Sequence, residues 1–228
     1  MQEIYSQNQQ AARPANVAKV LRNTYTLLAM TLAASAAAAG VAMAADVGRG
    51  VGMICSLAAL GIVWFVLPRT ANSSKGIFVV FAFTILLGVG LGPTLNYYIA
   101  AYSNGSALIM QSLGLTALVF FGLSGYVLTT GKDFSFMGGF LMTGLIIAVV
   151  AMLGLMVAGL FGIHVPAMSL ALSAMVALLM SGFILFDTSR IVNGGETNYI
   201  MATTALYLNI YNLFTSLLHI LGVMGGDD

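Results

Sequence analysis

Charge is scarce in this sequence of 228 residues, which holds only 8 Lys and Arg and 7 Asp and Glu. Charged residues make up 7% of the chain, against about 25% in an average water-soluble domain. Apolar residues make up 60%, and the mean hydropathy is +0.98. A folded chain of this composition would expose too much apolar surface in water, so a soluble domain is excluded and an integral membrane protein is expected.

Other absences exclude further classes of function. The formal net charge is +1 and no basic patch is present, so binding of nucleic acid through its phosphates is not expected. Cys55 is the only cysteine, which excludes an internal disulfide and a zinc site built on paired cysteines. No metalloprotease, hydrolase or nucleotide-binding motif occurs, so neither catalysis nor a cofactor is expected.

Long intervals without charge divide the chain into candidate membrane spans. A helix that crosses the hydrocarbon needs about 20 mainly apolar residues. The uncharged intervals are residues 23–45, 50–68, 76–131, 134–186 and 197–226. Two of them are long enough for two helices, so we predict an all-α polytopic protein with seven transmembrane helices. Residues 1–22 form a polar tail without a secretory signal, residues 23–226 a single membrane domain, and residues 227–228 an acidic end.

The basic residues are distributed unevenly over the two faces of such a protein. Seven crossings place the chain ends on opposite faces, and most basic residues then share the face of the N-terminus: Arg13, Lys19, Arg22, Arg69, Lys75, Lys132 and Arg190. Only Arg49 falls on the other face. By the positive-inside rule, we expect the N-terminus in the cytoplasm. The C-terminus and the turns near Tyr102 and His164 are expected outside.

Two glycines spaced four residues apart, Gly88 and Gly92, come directly before Pro93 in the third predicted span. Apolar side chains gain nothing by leaving lipid, so small residues that permit close backbone approach favour helix association there. The pair predicts a tight helix crossing, with a hinge as the alternative.

The last predicted span carries small and polar residues at spacings of three and four, which place them on one helical face: Ala202, Ala205, Asn209, Asn212, Ser216 and His219. Such a face should avoid lipid, so this helix is predicted to lie centrally among the other six. Asn209, Asn212 and Ser216 are interpreted either as interhelical hydrogen-bonding groups or as the lining of a pathway. His219, near the outer end, is either an interfacial histidine or a ligand or proton relay.

Asp187 ends an apolar run near the cytoplasmic end of the sixth predicted span, where an ionised group is costly. One interpretation is a local ion pair with Arg190, which lies three residues further on the same helical face. The other is a gate residue whose protonation depends on burial and on a nearby arginine. Arg69, at the cytoplasmic end of the second span, is either that partner or a positive-inside anchor. No fixed metal site is predicted, but a cation could lie transiently near Asp187.

Several segments around this acid form a recognisable set. Residues 186–189 read FDTS, residues 194–199 read GGETNY, and residues 205–214 read ALYLNIYNLF. They resemble the Bax inhibitor-1 family. Residues 20–25 (VLRNTY) and 126–136 (YVLTTGKDFSF) are similar to its bacterial YccA branch. The resemblance covers nearly the whole chain from Val20 onward.

For this family, the resemblance implies seven helices, with the last surrounded by two three-helix layers. It also implies a pH-sensitive calcium leak, controlled by an aspartate pair on the sixth and seventh helices and an arginine from the second. Asp187 matches the first aspartate and Arg69 approximately matches the arginine, whereas Asn209 stands in place of the second aspartate. Because an amide does not titrate, any pH response is expected to depend on Asp187.

Similarity to the YccA branch implies a substrate and modulator of the membrane protease FtsH, which seizes a cytoplasmic N-terminal tail. The leading hypothesis is a bacterial inner-membrane protein that modulates FtsH-dependent quality control, with FtsH and its associated membrane complex as partners. Its scaffold would be capable of a pH-sensitive calcium leak. A passive pH-gated calcium or cation leak channel is the first alternative, and a secondary transporter is the second.

Overall fold

The structure is a computed structural model that describes the backbone of residues 2–163 and 165–225, and the side chains from residue 16 onward with the same gap. It contains eight α-helices: α1 (Gln2–Ala44), α2 (Arg49–Gly61), α3 (Leu67–Thr70), α4 (Lys75–Ala101), α5 (Gly105–Thr130), α6 (Gly138–Leu160), α7 (Pro166–Val192) and α8 (Tyr199–Gly225). No strand occurs in these described ranges, so the all-α prediction is confirmed. His164 and the acidic end at residues 227–228 lie outside the described residues.

In the part of the chain that the structure describes, seven segments are long and apolar enough to cross a membrane, which confirms the number predicted from the charge-free intervals. They are Asn16–Ala44, Arg49–Thr70, Lys75–Ala101, Gly105–Thr130, Ser135–Leu160, Pro166–Val192 and Tyr199–Gly225. Helices α7 and α8 are therefore the sixth and seventh spans. Asp187 lies inside α7, five residues before its end.

The second span is not a uniform α-helix, because α2 runs into a π-helical segment at Ile62–Val66 before α3 begins. Pro68 has no backbone N–H, and its ring would clash with a carbonyl of the preceding turn in a regular α-helix. The π segment ends at Val66, two residues before Pro68 in the first turn of α3. Nearby, Thr70 Oγ1 donates a hydrogen bond of 2.9 Å to the carbonyl of Val66.

The chain divides into two compact units. One comprises Met1–Tyr97 with Ile191–Tyr207, and the other comprises Tyr98–Arg190 with Leu208–Asp228. Helix α8 thus contributes its first residues to one unit and its later residues to the other. Fully buried side chains of the first unit include Leu28, Val80, Phe83 and Leu206. The single membrane domain at residues 23–226 stays a prediction.

Within the first unit, α1 and α4 approach each other closely at both glycines of the pair. A Cβ atom added at Gly88 would collide with the backbone of Ser35. One added at Gly92 would lie 2.6 Å from the Cβ of Ala42. The prediction of a tight helix crossing is confirmed, since neither position has room for a side chain.

Within the second unit, α6 and α7 also pack through glycines. A Cβ atom added at Gly182 would lie 2.6 Å from Cδ2 of Leu141, and one at Gly144 would lie 2.5 Å from Cδ2 of Leu179. Leucine side chains of each helix therefore fill the space above the glycines of the other. This packing positions the part of α7 that leads to Asp187.

Candidate functional site

Helix α8 is the most enclosed of the seven spans. Half of its most apolar 18-residue segment (50%) is buried, against 44% or less in the others. None of the six residues in its small and polar stripe is exposed. Ala202, Asn209 and Ser216 are buried, and the other three are half-buried. This agrees with the expectation that the stripe avoids lipid. The arrangement of the other helices in two layers around α8 stays a prediction.

The carboxylate of Asp187 on α7 meets the amide of Asn209 on α8. Asn209 Nδ2 donates a hydrogen bond of 2.7 Å to Asp187 Oδ2. Asn209 is only 6% exposed, and Asp187 is half-buried. Hydrogen bonds to an ionised acceptor are shorter and stronger than neutral ones, and a low local dielectric strengthens them further. The structure thus brings together two of the three residues predicted to form a gate.

The two residues that follow Asp187 connect α7 by hydrogen bonds to α5 and to the loop after it. Thr188 Oγ1 lies 3.2 Å from Ser124 Oγ of α5, within hydrogen-bonding distance. Ser189 Oγ accepts a hydrogen bond of 3.1 Å from the backbone N–H of Phe134. Both hydroxyl residues are fully buried. These contacts were not predicted, because sequence spacing does not show which neighbour a hydroxyl will meet.

The loop that contacts Ser189 is itself ordered by local contacts. Gly131, with φ of 62°, adopts the left-handed conformation that ends many helices, and its N–H donates to a carbonyl of α5. Lys132 Nζ donates a hydrogen bond of 2.8 Å to the hydroxyl of Tyr126. Hydrogen bonds from the side chain and the backbone of Ser135 hold the pKa of the Asp133 carboxyl below its ordinary value.

The two candidate arginines have other described contacts. The guanidinium of Arg190 lies over the ring of Phe186, 5.6 Å from its centroid, at a distance typical of a cation–π interaction. The side chain of Arg69, in the first unit, is exposed and donates a hydrogen bond to the carbonyl of Phe65 one turn earlier. Their predicted roles, a local pair with Asp187 and a gate partner, stay predictions.

The C-terminal half of the α8 stripe makes two different kinds of contact. Asn212 Nδ2 donates a hydrogen bond of 2.8 Å to the carbonyl of Leu208, so this bond lies within its own helix rather than between helices. His219 Nδ1 lies 2.8 Å from Ser173 Oγ on α7. Thus His219 takes the interhelical role that was considered for Asn212. Ser216 is buried, and its predicted role stays open.

A buried polar cluster in the first unit was missed by the sequence analysis. The hydroxyl of Tyr207 on α8 lies 2.6 Å from Ser35 Oγ on α1. It also donates a hydrogen bond of 3.3 Å to the carbonyl of Thr84 on α4. Tyr207 is 1% exposed, and its ring packs edge-on against Phe83 with 5.5 Å between centroids. Sequence spacing alone does not show that the hydroxyl of Tyr207 connects three helices.

The oxygen atoms of Asp187 and Asn209 determine which ligands this site could contact. Carboxylate and amide oxygens are ligands for hard cations such as Ca²⁺, which takes about six to eight oxygens in a stable site. In the described parts of the chain, no group of three or more His, Cys, Asp or Glu residues could hold a metal ion. Asp187 and Asn209 contribute oxygen atoms of the kind that hard cations bind, and transient contact of a cation with Asp187 stays a prediction.

Comparison with known proteins places this architecture in a family. The family model for the inhibitor of apoptosis-promoting Bax1 matches residues 17–226. A Vibrio cholerae protein named "Uncharacterized membrane protein" is 52% identical over 225 residues, 99% of this chain and 98% of the relative. The Escherichia coli K12 protein named "Modulator of FtsH protease YccA" is 47% identical over 227 residues, 100% of both chains.

A Pseudomonas aeruginosa protein is also similar, with 43% identity over 100% of this chain and 99% of the relative. The family match covers all seven spans apart from Asn16 and includes the Asp187 and Asn209 positions. From this extended match, and from the similarity to full-length relatives, the chain belongs to the Bax inhibitor-1 family.

Proposed function

We propose that this protein is a bacterial inner-membrane modulator, and a substrate, of the FtsH protease. The observation that carries the proposal is the 47% identity, over the whole of both chains, to the relative named for modulation of FtsH. A second Escherichia coli relative with the same identity is named "Inner membrane protein YccA". The seven apolar helices fit that location.

The distribution of basic residues supports an N-terminus in the cytoplasm, where the protease domain of a membrane protease could reach it. The apolar part of α1 begins at Asn16, so residues 1–15 precede the first span. Residues from Asn16 onward line a cavity of about 1120 Å³ together with residues of the α7 to α8 connection, among them Glu196 and Tyr199. Helix α1 itself begins at Gln2, and the part of the chain that precedes the first span is the proposed handle for capture.

Deletion of residues 2–15 is expected to abolish FtsH-dependent turnover of this protein. The deletion stops before Asn16, so the residues that line the cavity with the α7 to α8 connection remain in place. Turnover can be followed by immunoblotting after synthesis is stopped, in cells with and without FtsH. Any vesicle ion flux should remain, because Asp187 and Asn209 are untouched.

The matched control removes Asp227 and Asp228 at the other end of the chain. By the charge distribution these residues lie on the opposite face of the membrane, so their loss should leave turnover unchanged. Equal turnover of the tail deletion and the full-length chain would contradict the proposal.

The orientation can be tested with single cysteines in a Cys55→Ala background. Ser73 and Ser103 are both exposed and lie in connections at opposite ends of α4. In intact spheroplasts, a membrane-impermeant maleimide is expected to label Ser103→Cys, but to label Ser73→Cys only after the membrane is broken. The reverse pattern would place the N-terminus outside and remove the tail from the reach of a cytoplasmic protease.

A second function, a pH-sensitive calcium leak, is favoured by one specific observation. The hydrogen bond from Asn209 to Asp187 joins the last two spans at a carboxylate that lies within the membrane segment. Polar groups of this kind inside a membrane commonly mark ion pathways. Calcium is the proposed permeant, and it would contact the Asp187 site only in passing.

A further inference from the structure

A groove opens on the first unit where the start of α2 passes the end of α4. It has a volume of about 560 Å³, and the residues that line it include Arg49, Gly52, Ser56, Pro93, Thr94 and Tyr97. Small-molecule sites typically have volumes of about 300–1,000 Å³. The groove is thus large enough for a polar group of substantial size.

The two helices meet in this groove through residues with little or no side chain. A Cβ atom added at Gly52 would lie 2.9 Å from Cγ of Pro93, and one added at Gly90 would collide with Ser56 Oγ. Glycines and a proline therefore occupy the contact between the helices, and the polar side chains stand beside it. The exposed Thr94 adds a hydroxyl group to the lining.

The Arg49 guanidinium of the groove has N–H groups that are available to a ligand. The guanidinium of Arg49 lies over the ring of Tyr97, 5.0 Å from its centroid, and the residue is exposed. Among the described residues, the Arg49 side chain has no carboxylate or hydrogen-bond partner, whereas the nearby acid Asp46 lies 3.5 Å from Asn96 Nδ2. Stacking uses only the face of a guanidinium, so its in-plane N–H groups can bind a second, anionic group.

The depth of the groove matches the headgroup region of a bilayer. Arg49 is the first residue of the second span, and Tyr97 lies four residues before the end of the third. Aromatic and basic residues at span ends commonly lie at the level of the lipid headgroups. Below Arg49, the exposed apolar side chains Val51, Met53 and Ile54 continue along α2, with exposed fractions of 53%, 62% and 65%.

We infer that this groove binds the phosphate of a glycerophospholipid. The phosphodiester would accept hydrogen bonds from the free N–H groups of Arg49, while the acyl chains lie along the apolar surface below it. Charge complementarity supports this occupant, since Arg49 is the only Lys or Arg that the topology places on its face of the membrane. The site is separate from Asp187 and does not depend on the proposed function.

The test uses the full-length protein purified in detergent and three probes: phosphatidylglycerol, a diacylglycerol without phosphate, and glycerol phosphate without acyl chains. Native mass spectrometry counts the bound molecules, and thermal unfolding reports the stabilisation that binding produces. Only phosphatidylglycerol is expected to bind in a saturable manner. Arg49→Gln should weaken its binding about tenfold, the effect expected for losing hydrogen bonds to a charged group.

A matched control is available at Lys132, another cation beside a tyrosine at a span end, which does not line this groove. Lys132→Gln should leave lipid binding unchanged. Thr94→Phe fills the groove and keeps the Arg49 charge, so it should weaken binding as well. It also provides the test if Arg49→Gln fails to fold.

Three results would overturn the inference. Equal weakening by Arg49→Gln and Lys132→Gln would show that any interfacial cation attracts this lipid. Equal stabilisation by glycerol phosphate and phosphatidylglycerol would show that the groove takes a soluble phosphate instead. Binding that is unaffected by Thr94→Phe would equally exclude the groove as the site.

Discussion

Vesicles that contain the Asp187→Asn variant are expected to show a calcium leak that no longer changes with pH. Asp187 is the only Asp or Glu within the seven spans, so it is the only carboxyl group there that can titrate. A single titrating group can change a flux by at most about tenfold per pH unit. The variant keeps an oxygen that can accept the hydrogen bond from Asn209, so the change removes the titration and preserves the contact.

The measurement compares calcium-loaded vesicles in mildly acidic and mildly alkaline buffer with an encapsulated fluorescent indicator. Asp133→Asn is the control, because it removes a carboxylate that lies in a loop outside the spans. A third variant, Asn209→Asp, should add a second pH-dependent step, since two carboxyls at hydrogen-bonding distance share a proton. A leak with the same pH dependence in native protein and Asp187→Asn would exclude this acid as the gate.

Replacing Gly88 with Ala is expected to destabilise the protein by about 1–3 kcal/mol, the usual cost of overpacking a tight interface. The new methyl group would collide with the backbone of Ser35, which cannot move aside as a flexible side chain could. The midpoint of thermal unfolding in detergent should fall accordingly, and the yield of folded protein should fall with it.

Gly122→Ala in α5 is the matched control for that substitution. Gly122 is also a helical glycine, but a Cβ atom added there has no neighbour within 4 Å. Alanine is a better helix former than glycine by about 0.5–1 kcal/mol, so this variant should be as stable as the native chain or more so. If the two variants behave alike, α1 and α4 do not cross as tightly as described.

The spans were predictable because the hydrocarbon layer imposes one minimum length on every crossing and makes each charge costly. Charge-free intervals therefore marked all seven segments, and Gly88 with Gly92 marked the close approach of two helices. The π-helical segment at Ile62–Val66 could not be predicted in the same way. It is a local change in the backbone hydrogen-bond pattern, which a hydropathy pattern does not reveal.

The candidate site was predictable only in part. Asp187 was identified as a costly charge in an apolar run and Asn209 as part of a polar helical face, whereas their pairing was implied by the family resemblance. The structure joins them by a hydrogen bond. The pairing of His219 with Ser173 was not predictable, since it depends on how far each helix is rotated about its axis. Hydroxyl residues are the hardest to interpret, because many simply bond to their own helix, as Ser112 does to the Leu108 carbonyl.

The hydroxyls of Thr188 and Ser189 bear on how the acid could change its surroundings. The side chains of neighbouring residues on a helix point about 100° apart. Thr188 and Ser189 therefore hydrogen-bond in different directions, one toward α5 and one toward Phe134. Rotation of α7 about its axis would break both hydrogen bonds. Rotation of the Asp187 side chain alone breaks neither hydrogen bond. The Asp187 carboxylate can therefore change direction through its χ angles while the backbone of α7 stays in place.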